Sequence, residues 1–123
     1  MAGSYKDLVA WRKAMMMALD IYRATRGFPK DETYGLGSQL RRAAVSVPSN
    51  IAEGQGRYSR REFHRFLNNA RGSVSEIETQ IMLARELAYL PRTEADDLLM
   101  KAAELGRILN GLIASTRKEV MKE

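Results

Sequence analysis

Arg60-Arg61-Glu62-Phe63-His64-Arg65-Phe66-Leu67-Asn68-Asn69-Ala70-Arg71-Gly72-Ser73-Val74-Ser75-Glu76-Ile77-Glu78-Thr79-Gln80-Ile81-Met82-Leu83-Ala84 decides the fold. Within it Phe63, Leu67, Ala70, Val74, Ile77, Ile81 and Ala84, continued by Ala88, recur at alternating steps of four and three. That is a heptad seam held over more than three heptads, the pattern of left-handed helix-bundle packing. Ser59 and Glu62 stand three apart at its start, the spacing of a capping box. Pro91 ends the run, so a helix is predicted over Ser59–Leu90.

Outward from this helix the chain reads as three more. Leu8, Trp11, Met15, Leu19 and Tyr22 form an apolar stripe on a first helix over Lys6–Arg26, closed by Gly27 and Pro29. Leu36, Leu40, Ala43, Val47 and Ile51 give a second over Tyr34–Glu53. Pro48 falls inside it, where a missing N–H and a ring clash predict a kink or a split. Ser46, Ser49 and Asn50 are placed to satisfy the backbone groups freed there. A fourth helix begins at Thr93 with Ala95, Leu98, Ala102, Leu105, Leu109, Leu112 and Thr116 on its seam. No alternating strand pattern competes. The expected fold class is all-α: one domain, residues 1–123, an antiparallel up-and-down four-helix bundle with its second helix kinked at Pro48.

Composition narrows the chemistry. The chain has no cysteine, which excludes disulfides and thiolate metal sites. No signal-peptide pattern or span of about 20 apolar residues is present, so a cytoplasmic protein with no membrane partner is expected. His64 is the one histidine and residue 61 is arginine, so the Glu-x-x-His pairs of di-iron bundles are missing. Met15, Met16 and Met17 are read as gap-fillers rather than haem ligands. No cofactor and no metal are expected.

Charge is concentrated in one place. The net charge is +5, yet Arg57, Arg60, Arg61, Arg65 and Arg71 face only Glu62 between residues 57 and 71. Arg57, Arg60, Arg61 and Arg65 are the expected nucleic-acid contacts; the plainer alternative is a solvated face, or pairing with acids elsewhere. Arg57 and His64 also match the loose Arg-x6-His spacing of HEPN-class ribonucleases, as a phosphate clamp and a general base. A first-turn histidine with no catalytic task is the preferred reading. Glu53, Glu76 and Glu78 are expected to pair with Arg41, Arg42, Arg57 or Arg71 rather than to hold a cation. Gly72, in the middle of the third helix, is expected to admit a neighbouring helix. Phe66, Leu83, Leu87 and Leu90 form a second apolar stripe of the kind that marks a subunit interface.

Several segments together carry a family resemblance: Leu8-Val9-Ala10-Trp11-Arg12-Lys13-Ala14, Gln39-Leu40-Arg41-Arg42-Ala43-Ala44, Ser46-Val47-Pro48-Ser49-Asn50-Ile51-Ala52-Glu53-Gly54, Ala70-Arg71-Gly72-Ser73 and Glu76-Ile77-Glu78-Thr79. From Tyr5 to Leu90 the chain resembles the four-helix-bundle proteins named for the intervening sequence of 23S ribosomal RNA. The resemblance implies a bacterial bundle that assembles as a ring-shaped homopentamer with no assigned catalytic site. A related branch, the accessory proteins of diversity-generating retroelements, works with a reverse transcriptase and RNA. Pro48, Asn50, Glu53, Gly54 and Glu76 are the junction residues it singles out. The expected function is that of a non-enzymatic oligomeric bundle binding RNA or another nucleic acid, with an oligomeric scaffold for a protein partner as the rival.

Overall fold

A computed structural model describes residues 4–123, so Met1 to Gly3 of the expected domain lie outside the described residues. Four helices carry the chain: α1 Val9–Thr25, α2 Leu36–Gln55, α3 Arg60–Glu86 and α4 Arg92–Met121. Single 3-10 turns at Tyr5–Asp7 and Lys30–Glu32 precede α1 and α2.

Helix neighbours define the topology. Among the described residues α1 packs on α2 and α4, and α3 packs on α2 and α4, while no Cα atoms come within 8 Å of each other across the α1–α3 and α2–α4 diagonals. Cross-helix pairs run in opposing order along the chain. Ser46 meets Ser73 and Gln39 meets Gln80; Arg60 meets Glu119 and Arg85 meets Asp96; Lys13 meets Glu104 and Asp20 meets Lys101. Every adjacent pair is therefore antiparallel, and the fold is the expected up-and-down bundle. The α3 seam is its spine: Leu67, Ala70, Val74, Ile77, Ile81 and Ala84 are all 0% exposed. The α4 seam is buried as read, with Ile113 added and Leu112 half-buried.

α1 departs from its expected register. Its buried face is Ala10, Ala14, Met17, Ala18, Ile21 and Ala24, whereas Met15, Leu19 and Tyr22 are exposed. Two apolar stripes about one residue out of phase, roughly 100° apart, share this helix. The alanine stripe wins the core because small side chains let α1 approach α2 and α4 closely. The bulky stripe is left on the flank, with Leu8 and Trp11 half-buried beside it.

α2 runs unbroken through the buried Pro48, so the proline does not split it. Asn50 Nδ2 donates to the Ser46 carbonyl at 2.8 Å, not to that of Ala44, the acceptor that Pro48 deprives of its usual N–H. The Glu32 side chain accepts from the Leu36 N–H at 2.9 Å and from the Tyr89 hydroxyl at 2.9 Å, capping α2 and tying it to the α3–α4 connection.

α3 ends four residues before the expected Leu90. Tyr89 N–H bonds the Ala84 carbonyl at 2.9 Å and Ala88 N–H bonds that of Arg85 at 3.0 Å, a Schellman closure. It needs a left-handed residue between, and Ala88 supplies it at φ 61°. A Cβ is disfavoured there by about 1–2 kcal/mol, partly offset by the greater unfolded-state freedom of glycine. Ala88→Gly should therefore raise stability by about 0.5–1 kcal/mol, read as a higher urea midpoint at unchanged slope.

Candidate functional site at the arginine-rich end

Four residues, Gly56 to Ser59, separate α2 from α3, so α3 must fold back tightly over the end of α2. Gly54 makes this possible. A Cβ built there would lie 2.6 Å from Phe66 Cβ and 3.1 Å from Phe63 Cδ1, so the first turns of α3 rest directly on the α2 backbone. Gly54→Ala should cost about 1–3 kcal/mol by overpacking; an unchanged denaturation midpoint would contradict this close approach. Ser59 caps α3 by accepting from the Glu62 N–H at 3.2 Å, as its spacing predicts.

The arginines close over this packing. Arg57 and Arg65 place their guanidinium carbons 5.2 and 4.5 Å from the centre of the Phe66 ring, and Arg60 sits 5.3 Å from that of Phe63. Their charged heads then meet carboxylates. Arg57 Nη2 bonds Glu53 Oε2 at 2.9 Å. Arg65 forks onto both oxygens of Glu62 at 3.1 Å. Arg60 forks onto Glu119, and Arg61 lies 3.6 Å from Glu123. The excess positive charge visible along residues 57–71 is thus answered in space by Glu53 from α2 and by Glu119 and Glu123 at the end of the chain. Arg71 is held by Asn110 and Ser75.

Salt bridges of this kind set an acid limit. The Arg65 hydrogen bond holds the Glu62 carboxyl below the ordinary range, Arg60 does the same to Glu119, and Lys13 to Glu104. A carboxylate with a lowered folded-state pKa contributes stability above its unfolded value, and that contribution is lost as pH falls through the folded value. Melting temperature should drop as pH falls below about 4.3, and added salt should shrink the drop because the pairs are exposed. A pH-independent melting temperature between about 5 and 3 would contradict the pairing.

Arg57 and His64 are not brought together. Arg57 engages Glu53 and Phe66 on the α2 side, whereas His64 Nδ1 lies 2.8 Å from the hydroxyl of Thr116 on α4. The same hydroxyl lies 3.0 Å from both the Leu112 and the Ile113 carbonyl oxygens, so Thr116 ties His64 to the α4 backbone. His64 is a strut between α3 and α4. Among the described residues no group of three or more His, Cys, Asp or Glu side chains is placed to hold a metal ion. No helix among them is long and apolar enough to cross a membrane.

The remaining junction residues divide. Pro48 is buried and Glu53 pairs with Arg57. Glu76 does not take the expected arginine partner, and Arg41 bonds the Thr25 hydroxyl at 2.8 Å instead of a carboxylate. Gly72 has nothing within 4 Å of the position a Cβ would occupy, so it admits no helix of its own chain. Of the expected second stripe, Phe66 and Leu90 are buried, and only Leu83 and Leu87 are exposed.

The surface that sequence reading missed lies between α1 and α2. Tyr5, Trp11, Met15, Leu19 and Tyr22 face Val45, Pro48 and Ala52 across an open apolar groove of about 460 Å³. It is built from the bulky stripe that α1 keeps out of the core.

The sequence profile of the family described as 23S rRNA-intervening sequence protein matches residues 6–111. A crystal structure of a protein of unknown function from the S23 ribosomal protein family of Bacteroides thetaiotaomicron is similar in fold. Its TM-score is 0.80 at 22% identity, over 86% of this chain and 96% of that one. No curated protein sequence matches the chain.

Proposed function

Since the chain belongs to the 23S rRNA-intervening sequence protein family, we propose that it is a non-enzymatic scaffold that assembles with copies of itself into a closed ring, five copies being the expected number. The carrying observation is the apolar groove between α1 and α2, with Leu19 51% and Met15 38% exposed. Contiguous apolar surface of this kind is typical of interaction sites. A second and different patch, Leu83 and Leu87 with Met82 beside them, is exposed at the end of α3 and on the cap residue that follows it. Two unlike patches on one molecule suit a head-to-tail interface, and head-to-tail interfaces close into rings when their rotation allows. The number five rests on the family resemblance.

The absence of cysteine makes disulfide trapping a clean test. Leu19 and Leu83 belong to α1 and α3, whose Cα atoms nowhere come within 8 Å of each other, too far for a disulfide, so a bond between cysteines placed there must join two molecules. Leu19→Cys with Leu83→Cys should give an oxidised ladder of covalent oligomers, while each single variant, whose cysteine faces no second cysteine across a head-to-tail interface, should give no ladder. An intact assembly without the ladder would assign the groove a different mate.

A second reading, binding of RNA or another nucleic acid, is favoured by the exposure of Arg57, Arg60, Arg61 and Arg65, whose side chains are between 45 and 68% accessible. Phosphates would have to displace the carboxylates that hold these groups. If they do, changing Arg60, Arg61 and Arg65 to Gln should weaken RNA binding across sequences. The slope of log affinity against log salt should then fall by roughly 0.7–0.9 for each phosphate no longer neutralised. No gel shift by the wild-type chain at low salt, with the assembly intact, would exclude it.

A further inference from the structure

Between α2 and α3 a polar pocket of about 390 Å³ opens, lined by Gln39, Arg42, Ala43, Ser46, Ser73 and Glu76. It lies between two hydrogen-bonded rungs. Ser46 and Ser73 meet at 2.9 Å, and Gln80 Nε2 donates to Gln39 Oε1 at 3.3 Å. The seven residues separating Gln39 from Ser46 span about 10 Å of helix, and the small side chain of Ala43 leaves the space between them open.

Two features distinguish this pocket from the arginine-rich end. Arg42 and Glu76 both line it, yet neither has a charge or hydrogen-bond partner among the described residues. The pocket therefore presents an unspent cation and an unspent anion that do not neutralise each other. Its hydroxyls are also poised. Asn50 Nδ2 donates to the Ser46 carbonyl and, at 3.0 Å, to Ser46 Oγ, which fixes the amide orientation and makes Ser46 Oγ an acceptor. The Ser46–Ser73 bond then uses one hydroxyl hydrogen of the pair. The other is left to donate, and both serines line the pocket. Gln80 is buried, and among the described residues nothing donates to its Oε1, an acceptor surplus beside Gln39.

We propose that this pocket binds a small zwitterion, a free α-amino acid. Arg42 and the free serine hydroxyl receive its carboxylate, and Glu76 receives its ammonium. Guanidinium–carboxylate and carboxylate–ammonium pairs are charge-assisted and set orientation as well as affinity. The volume is that of a small-ligand site, and the polar lining suits a small polar molecule. This site is separate from the α1–α2 groove and does not depend on the scaffold reading.

The experiment is a thermal-shift and calorimetric screen of the full-length chain against the twenty α-amino acids, each at about 10 mM, where a ligand of about millimolar Kd raises the melting temperature by a few degrees. At least one amino acid should bind, and its N-acetyl and carboxamide derivatives, each lacking one charge, should not. Arg42→Gln and Glu76→Gln, both exposed side chains, should each weaken binding about tenfold or more while leaving the unliganded melting temperature unchanged. Arg92→Gln, far from the pocket, should bind like the wild type. Failure of all twenty to bind overturns the proposal, as does equal binding of the singly charged derivatives or wild-type affinity in both pocket variants.

Discussion

Ile77→Ala should lower the stability of the bundle by about 2–5 kcal/mol. Ile77 is 0% exposed in the middle of the α3 seam. Truncation removes buried methyl and methylene groups and leaves a cavity where helices on both sides are already close-packed. Against a total stability of about 5–15 kcal/mol, the change is a large fraction of the whole. The melting temperature should fall by roughly 10 °C. Ile77→Val, which keeps the branch and loses one methyl, should cost only about 0.5–1.5 kcal/mol. Urea denaturation of the three proteins checks the series; equal midpoints would mean that the heptad seam is not the core.

Met15→Glu combined with Leu19→Glu should abolish assembly and leave the fold intact. Both side chains are exposed on the outer flank of α1, so in the isolated chain the carboxylates reach water. In an interface that seats another molecule in the groove, they would be buried without partners, at a cost of several kcal/mol each. The expected mass is that of the 13.9 kDa monomer, with undiminished helical circular dichroism. This variant also separates the two faces of α1. Had Met15 and Leu19 been core, as their periodicity suggests, the same change would unfold the protein. Retained helicity with retained assembly would remove the groove from the interface.

The fold is legible in the sequence because the α3 seam and the α4 seam are long, regular and unambiguous. α1 is not, because period alone cannot choose between two stripes on one helix. The rule that large apolar residues go inside selects Leu19 and Tyr22, while close helix approach selects Ala10, Ala14 and Ala18. Pro91 is a visible stop for α3, whereas the left-handed Ala88, where the helix has already closed, has no glycine to announce it. Among the candidate residues, Gly54 and Glu53 are legible as junction residues. The neutralisation of Arg60 and Arg61 is not, since Glu119 and Glu123 lie more than fifty positions away along the chain. The signal is nonetheless present: in an antiparallel bundle the start of α3 must lie beside the end of α4. Local pairing is the natural expectation for Glu76, and its free carboxylate emerges only once Arg42 and the two serines are placed around the same pocket.

Self-assembly is tested most directly by the mass of the wild-type protein in solution. Light scattering coupled to size exclusion, at about micromolar concentration and physiological salt, should give one species of about five times the 13.9 kDa chain mass. A monomer under those conditions, with the bundle fully folded, would contradict the scaffold.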